Sequence, residues 1–285
     1  MGRMVAVEVK IPVIPDFSRL DMKPLEKPAV MNLYLLPSSD ALPSKRMKPM
    51  VLVCPGGGYA YTSDREAEPI AAFFMSKGMH AGVLRYHVSP EVHDPVPVLE
   101  LAWAVQYLRI HAEELCIACN MIYVIGFSAG GHLAAHLCTR FKDEIFTKVL
   151  TSGVSWKPDA QILSYPVITM GSYTHAGSRD NLLGENADAA SIERLSMERH
   201  VHEDVPPTFI WHTAEDGAVP VENSLMYAAA LRKAHVPFEL HVFERGGHGL
   251  STCLDITSET GKEVVPDNSC WMEMAYRFLK RRNDC

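Results

Sequence analysis

The chain is 285 residues long and 47% hydrophobic, and it sets 27 Lys and Arg against 34 Asp and Glu for a formal charge of −7. At that size a fold buries about 75% of the extended chain's surface, so a core forms without metal or disulfide staples. A charged fraction of 21% argues against a disordered chain, the negative balance argues against a nucleic-acid partner, and no apolar run approaches the ~20 residues of a membrane span.

The first ten residues carry Arg3, Glu8 and Lys10 and lack the apolar core of about 7–15 residues that a secretory signal needs. The expectation is therefore a cytoplasmic protein. Runs at 5–10 and 29–36 read as a short antiparallel pair of strands. From position 50 onward, buried strands at 50–54, 79–85, 121–126, 161–165, 208–213 and 238–243 alternate with helices at 66–77, 96–114, 129–140, 221–234 and 268–281. Parallel neighbours need a crossover, so this alternation predicts an α/β fold: a mostly parallel, doubly wound sheet with helices on both faces. Ligands of such sheets bind beyond the carboxyl ends of the strands. No repeat, low-complexity segment or flexible linker divides the chain, and residues 1–285 read as one domain. Between 166 and 205 glycines, histidines and short apolar pieces replace the alternation. A stretch of that length in a compact domain is usually a functional excursion, and it reads as a small cap over the site.

Seven cysteines, at 54, 116, 119, 138, 253, 270 and 285, are odd in number and scattered through apolar stretches, as expected in a reducing compartment. Cys116 and Cys119 follow a predicted helix. A redox dithiol opens one, where the dipole lowers the thiol pKa, so these read as structural thiols.

The strongest chemical signal is a buried strand running into Gly126-Phe127-Ser128-Ala129-Gly130 and then a helix. Flanking glycines permit a strained turn that lifts the Ser128 hydroxyl above the sheet and leaves the Ala129 amide at a helix N-terminus. A serine hydroxyl is a poor nucleophile at neutral pH and requires a histidine base with an acid to orient it. On this fold the chain order is serine, acid, histidine. Glu215 and Asp216 follow the strand at 208–213, and His248 lies in a glycine-rich loop after the strand at 238–243. Successive residues at a strand end point in opposite directions, so only one of the two carboxylates faces His248. After the strand at 50–54 comes Pro55-Gly56-Gly57-Gly58-Tyr59. Its glycines allow a close backbone approach, and Gly57, Gly58 and Ala129 are the expected amide donors to an oxyanion. A phosphate-loop reading lacks the following Gly-Lys-Ser/Thr.

His132 and His136 are four apart on one helix, but Leu133-Ala134-Ala135 between them lacks the glutamate of a zinc motif. They read as packed histidines, and no metal is expected. His175 lies in the cap and is a candidate to line the pocket. His212 has no partner legible in the sequence.

Together these residues resemble the α/β-hydrolases related to hormone-sensitive lipase, and more narrowly the bacterial acetyl esterases that include bifunctional acetylxylan and feruloyl esterases. The likeness runs from about 50 to 279. It rests on Pro55 to Tyr59, Arg65-Glu66-Ala67-Glu68-Pro69, Leu84-Arg85-Tyr86 and Gly126 to Ala135. It continues through Ile162 to Ile168, Trp211-His212-Thr213, Val219 to Ser224 and Gly247-His248-Gly249-Leu250. The family pattern places the triad acid at Asp216. It implies hydrolysis of small acyl esters, acetyl above all, from the hydroxyls of plant-derived oligosaccharides, without a cofactor. The expected partner is a small acylated carbohydrate or another ester, with neither nucleic acid nor membrane. Apolar surface on an edge strand or the last helix is where two copies would pair as a homodimer.

The reading from sequence is thus a serine carboxylesterase with Ser128, Asp216 and His248 as its triad and Tyr59, Tyr61 and Arg65 as substrate contacts. A general short-chain esterase or lipase and a feruloyl esterase are the near alternatives. A peptidase of the prolyl-oligopeptidase kind needs a gating domain for which 285 residues leave no room, and a non-catalytic scaffold would lack the nucleophile or the base.

Overall fold

In the computed structural model, which describes residues 7–20, 22, 25–37 and 47–283, eight strands form one sheet. They are β1 (Val7–Val13), β2 (Ala29–Leu35), β3 (Lys48–Cys54), β4 (His80–Arg85), β5 (Ile117–Phe127), β6 (Ala160–Ser164), β7 (Thr208–Thr213) and β8 (Phe238–Phe243). Their order is β1-β2-β4-β3-β5-β6-β7-β8. The β1–β2 and β2–β4 pairs are antiparallel and every later pair is parallel, so the expected antiparallel start is present. Positions 5 and 6 of the first predicted strand lie outside the described residues.

Side chains alternate across the sheet, and here both faces are apolar because both are covered. Met50, Leu52 and Cys54 face one layer, with α2 (Val96–Ile110), α3 (Ala129–Arg140) and α7 (Glu222–Lys233). Val51 and Val53 face the other, with α1 (Glu68–Ser76) and α8 (Cys270–Asn283). The helix expected over 66–77 is divided. Residues Asp64–Glu66 form a 3-10 turn, Ala67 has a non-helical backbone, and α1 begins afterwards with Pro69 in its first turn. The six-residue α4 (Glu144–Val149) is too short to leave a periodic signal.

Residues 166–205 hold α5 (Ala176–Leu183), α6 (Ala189–Arg194) and a 3-10 turn at Met197–Arg199. The excursion is tied to the sheet domain through Asn223 of α7, whose Oδ1 accepts the amides of Ile168 (2.9 Å) and Thr169 (3.1 Å) while Nδ2 donates to Tyr173 O (2.8 Å). The six described cysteines are unpaired, and Cys285 lies outside the described residues. Among the described residues no helix is long and apolar enough to cross a membrane.

Candidate active site

Ser128 stands between β5 and α3 with φ 50° and ψ −116°. A side chain is strained there, and the flanking glycines make the turn sterically feasible. A Cβ on Gly126 would lie 2.2 Å from Gly130 O, and one on Gly130 would lie 2.1 Å from Cys54 O. The turn is pinned by Ser128 N–H donating to Ser164 O (3.0 Å) and by Val167 N–H donating to Ser128 O (3.0 Å).

The three predicted triad residues come together beyond the carboxyl ends of β5, β7 and β8. His248 Nε2 lies 2.8 Å from Ser128 Oγ, and His248 Nδ1 lies 2.7 Å from Asp216 Oδ2. A carboxylate only accepts, so Nδ1 carries the ring proton and Nε2 is free to accept from the serine hydroxyl. Glu215 turns away and accepts the Gly246 amide at 3.0 Å. The Asp216 carboxylate is almost fully enclosed. Burial alone would raise its pKa, but donors from His212 and His248, the charge of His248 and the Val219 amide outweigh that and hold it well below the usual carboxylate range. Its Oδ1 accepts the amides of Ala218 (3.0 Å) and Val219 (2.9 Å).

His212, for which the sequence offers no partner, is the second histidine on that carboxylate. From next to the last position of buried β7 its Nε2 reaches Asp216 Oδ2 at 3.2 Å and Val219 O at 2.9 Å, and its Nδ1 lies 2.7 Å from Ser224 Oγ. The available signal was a histidine in a buried strand, four residues before Asp216.

The glycine turn after β3 has Gly57 at φ 124°, Gly58 at φ 64° and Tyr59 at φ 60°. The amides of Gly57 and Gly58 donate to none of the described residues, and the Ala129 amide occupies the first position of α3, where no carbonyl of the helix can accept it. The loop is braced from below. Gly56 N–H donates to Glu66 Oε2 (2.9 Å), Tyr165 OH donates to Glu66 Oε1 (2.6 Å), and Ser251 N–H donates to Tyr165 O (2.8 Å, the phenolic oxygen). The Tyr165 ring meets the His248 ring edge-on at 5.1 Å. Glu66 and Tyr165 thus link the glycine turn to the loop that carries His248. The sequence shows them only as parts of matched segments.

The expectation that Tyr59 touches substrate is corrected by its burial. It is 1% exposed, and its hydroxyl lies 2.8 Å from His132 Nδ1. His132 Nε2 in turn lies 2.9 Å from Leu195 O, so Tyr59 fastens the glycine turn to α3 and the cap segment. Tyr61 is 62% exposed and stands at the mouth of the cavity. Arg65 also lines the cavity, yet its Nε and Nη2 are given to Thr257 O (2.5 Å) and Gly249 O (2.8 Å), which anchors the His248 loop. The cavity over Ser128 measures about 370 Å³ and is walled by the glycine turn, Tyr61, Arg65, His248 and, from the cap, His175 and Asn181.

The BD-FAE family model matches residues 39–231. The chain belongs to the BD-FAE family. Among relatives, it is 41% identical to a protein named endo-1,4-beta-xylanase B from Butyrivibrio fibrisolvens, over 72% of this chain and 33% of that one. It is 29% identical to an acetylxylan esterase from Xylanibacter ruminicola, over 73% of this chain and 42% of that one. The chain therefore spans less than half the length of these two relatives. Solved structures similar to this member of the BD-FAE family match over nearly the whole length and share its α/β-hydrolase fold. An acetyl ester-xyloside bifunctional hydrolase from Caldicellulosiruptor lactoaceticus is 35% identical with a TM-score of 0.83, covering 96% of each chain. A carboxylesterase from Lactobacillus plantarum is 28% identical with a TM-score of 0.83, covering 98% of each.

Proposed function

We propose that this chain is a serine carboxylesterase that removes short acyl groups, acetyl above all, from the hydroxyls of plant-derived oligosaccharides. The observation that carries the reading is the unbroken line from Ser128 Oγ through His248 to Asp216, with gaps of 2.8 and 2.7 Å, beside amides that have no acceptor among the described residues. In this mechanism Ser128 attacks the ester carbonyl carbon as His248 Nε2 takes its proton. Asp216 holds the imidazole in the required tautomer and stabilises the imidazolium. Negative charge gathers on the carbonyl oxygen and is met by the amides of Gly57, Gly58 and Ala129. Collapse expels the alcohol, protonated by His248, and leaves an acyl-serine. A water molecule, activated by the same imidazole, then releases the acid and restores Ser128. No step calls for a metal or cofactor.

The small cavity, whose walls include Ser63, Arg65, His175 and Asn181, supports a short acyl group on a hydroxylated alcohol, as do the esterase relatives. An exopeptidase of the dipeptidyl-peptidase kind would need a free carboxylate to hold a peptide's amino terminus. The buried carboxylate at the cavity, Glu66, is given instead to Gly56 and Tyr165. The test is mass spectrometry of acetylated xylo-oligosaccharides incubated with the wild type and with Ser128→Ala. Loss of acetyl groups with the wild type alone is expected. An unchanged acetyl pattern, with turnover of 4-nitrophenyl acetate retained, would remove the carbohydrate part and leave a general short-chain esterase.

A further inference from the structure

The cap contributes one polar group to the cavity that the chemistry above leaves unused. His175 is the N-cap of α5, and its Nδ1 accepts the Ser178 amide at 3.1 Å and lies 2.8 Å from Ser178 Oγ. An amide can only donate, so Nδ1 is an acceptor and the neutral ring carries its proton on Nε2. Burial, reinforced by the charge of His248, lowers the pKa of His175 and favours the neutral ring. The ring packs against the glycine turn, with Cε1 3.8 Å from where a Gly58 side chain would begin. Its Nε2 has no partner among the described residues, although the half-buried ring lines the same cavity as Ser128 and His248.

Several of the other polar atoms of the cap side and cavity wall are already engaged. Asn181 Nδ2 donates to Gly58 O at 2.9 Å, Arg65 is held by two carbonyls, and Glu66 accepts from Gly56 and Tyr165. An acetyl ester offers few acceptors. Its carbonyl oxygen belongs to the backbone amides, its methyl group has none, and its bridging oxygen must face His248 Nε2 to receive a proton. An acceptor for the His175 Nε2–H therefore has to come from elsewhere on the alcohol.

We propose that His175 is a specificity-determining residue whose Nε2–H donates to a hydroxyl or ring oxygen of the alcohol moiety, so that the site favours esters of polyhydroxylated alcohols over alkyl esters. This rests on the esterase reading given above.

The experiment compares 2-hydroxyethyl acetate with propyl acetate, which are matched in size and differ in one acceptor. A single hydrogen bond predicts a wild-type preference of about 3- to 10-fold in kcat/KM for the hydroxylated ester. His175→Asn keeps an oxygen able to cap α5 but lacks a donor that extends as far, and His175→Ser serves the same purpose should the Asn variant fold poorly. In either variant the ratio of the two kcat/KM values is expected to fall towards one, chiefly through KM for 2-hydroxyethyl acetate. A variant that keeps the wild-type ratio, or a wild type that shows none, overturns the inference while leaving the esterase reading intact. If neither ester is cleaved in a Ser128-dependent way, the esterase reading itself fails and takes the inference with it.

Discussion

Asp216 holds two histidines on one oxygen: its Oδ2 lies 2.7 Å from His248 Nδ1 and 3.2 Å from His212 Nε2. With the amides of Ala218 and Val219 on Oδ1, the carboxylate is surrounded by donors on every side and can neither rotate nor take up a proton readily. On the esterase reading, His212 is therefore a positioning residue for the acid. His212→Gln should lower kcat by about 10-fold with little change in KM, since a hydrogen bond to a charged group contributes about 1.5–3 kcal/mol and only part of it bears on the transition state. Asp216→Asn, which removes the tautomer control itself, should cost about 10⁴-fold in kcat. Steady-state kinetics on 4-nitrophenyl acetate distinguishes the two, and equal losses would refute the ranking.

Glu66 is predicted to matter through the two loops it joins. In Glu66→Gln one carboxylate oxygen becomes an NH₂ group facing a donor, either the Gly56 amide or the Tyr165 hydroxyl. The variant should be destabilised by about 1–3 kcal/mol and should lose kcat more than substrate affinity, because the glycine turn is no longer fixed. Tyr165→Phe, which leaves the Ser251 amide and Glu66 Oε1 without their shared partner, should reproduce both effects. Thermal melts and kinetics on the same preparations check this, and a fully stable, fully active Glu66→Gln protein would contradict it.

The turn that carries Ser128 tolerates no side chain at its glycines. Gly130→Ala would place a methyl group 2.1 Å from Cys54 O, and relief requires β3 and α3 to separate. More than about 3 kcal/mol of destabilisation, or failure to fold, is expected. Gly217→Ala, at a position with nothing within 4 Å, should stay within about 0.5 kcal/mol of the wild type. Chemical denaturation of the pair measures the contrast.

Three buried histidines make stability fall with acid. Burial lowers the pKa of His80 and of His132 to about 4 and holds that of His136 well below its ordinary value. Each is neutral when folded, whereas the unfolded chain binds protons below about 6.5. Their contribution is complete above that value and is lost progressively as pH falls towards 4. At pH 5 the loss for His80 and His132 is about 2 kcal/mol each, a fall in Tm on the order of 10 °C for a chain of this size. His132→Gln should melt lower than the wild type at pH 7 but show a shallower decline between pH 7 and 5. A parallel decline would exclude His132 as a contributor.

Much of the architecture was legible because periodicity and turn chemistry are local. The bounds of β7, β8 and α3 coincide with the apolar runs and the helical stretch read from the sequence. The order of Ser128, Asp216 and His248 follows from where strand ends fall, and the glycines after β3 announce a backbone that approaches closely. Helix ends are less sharply encoded, and α2 stops at Ile110, four residues before the predicted limit.

What the sequence by itself determined was the set of candidate reacting groups and the strand ends that bring them to one face. The tertiary structure decided their support. Tyr59 turned out to fasten the glycine turn to His132, 73 residues away. Glu66 found Tyr165 across 99 residues, and His175 was brought from the cap to the nucleophile's cavity. Such pairings leave no periodic trace. A buried polar side chain must find a partner, but which one it finds depends on how the strands and loops are placed in space, and one carboxylate or phenol in the sequence looks much like another until that packing is made.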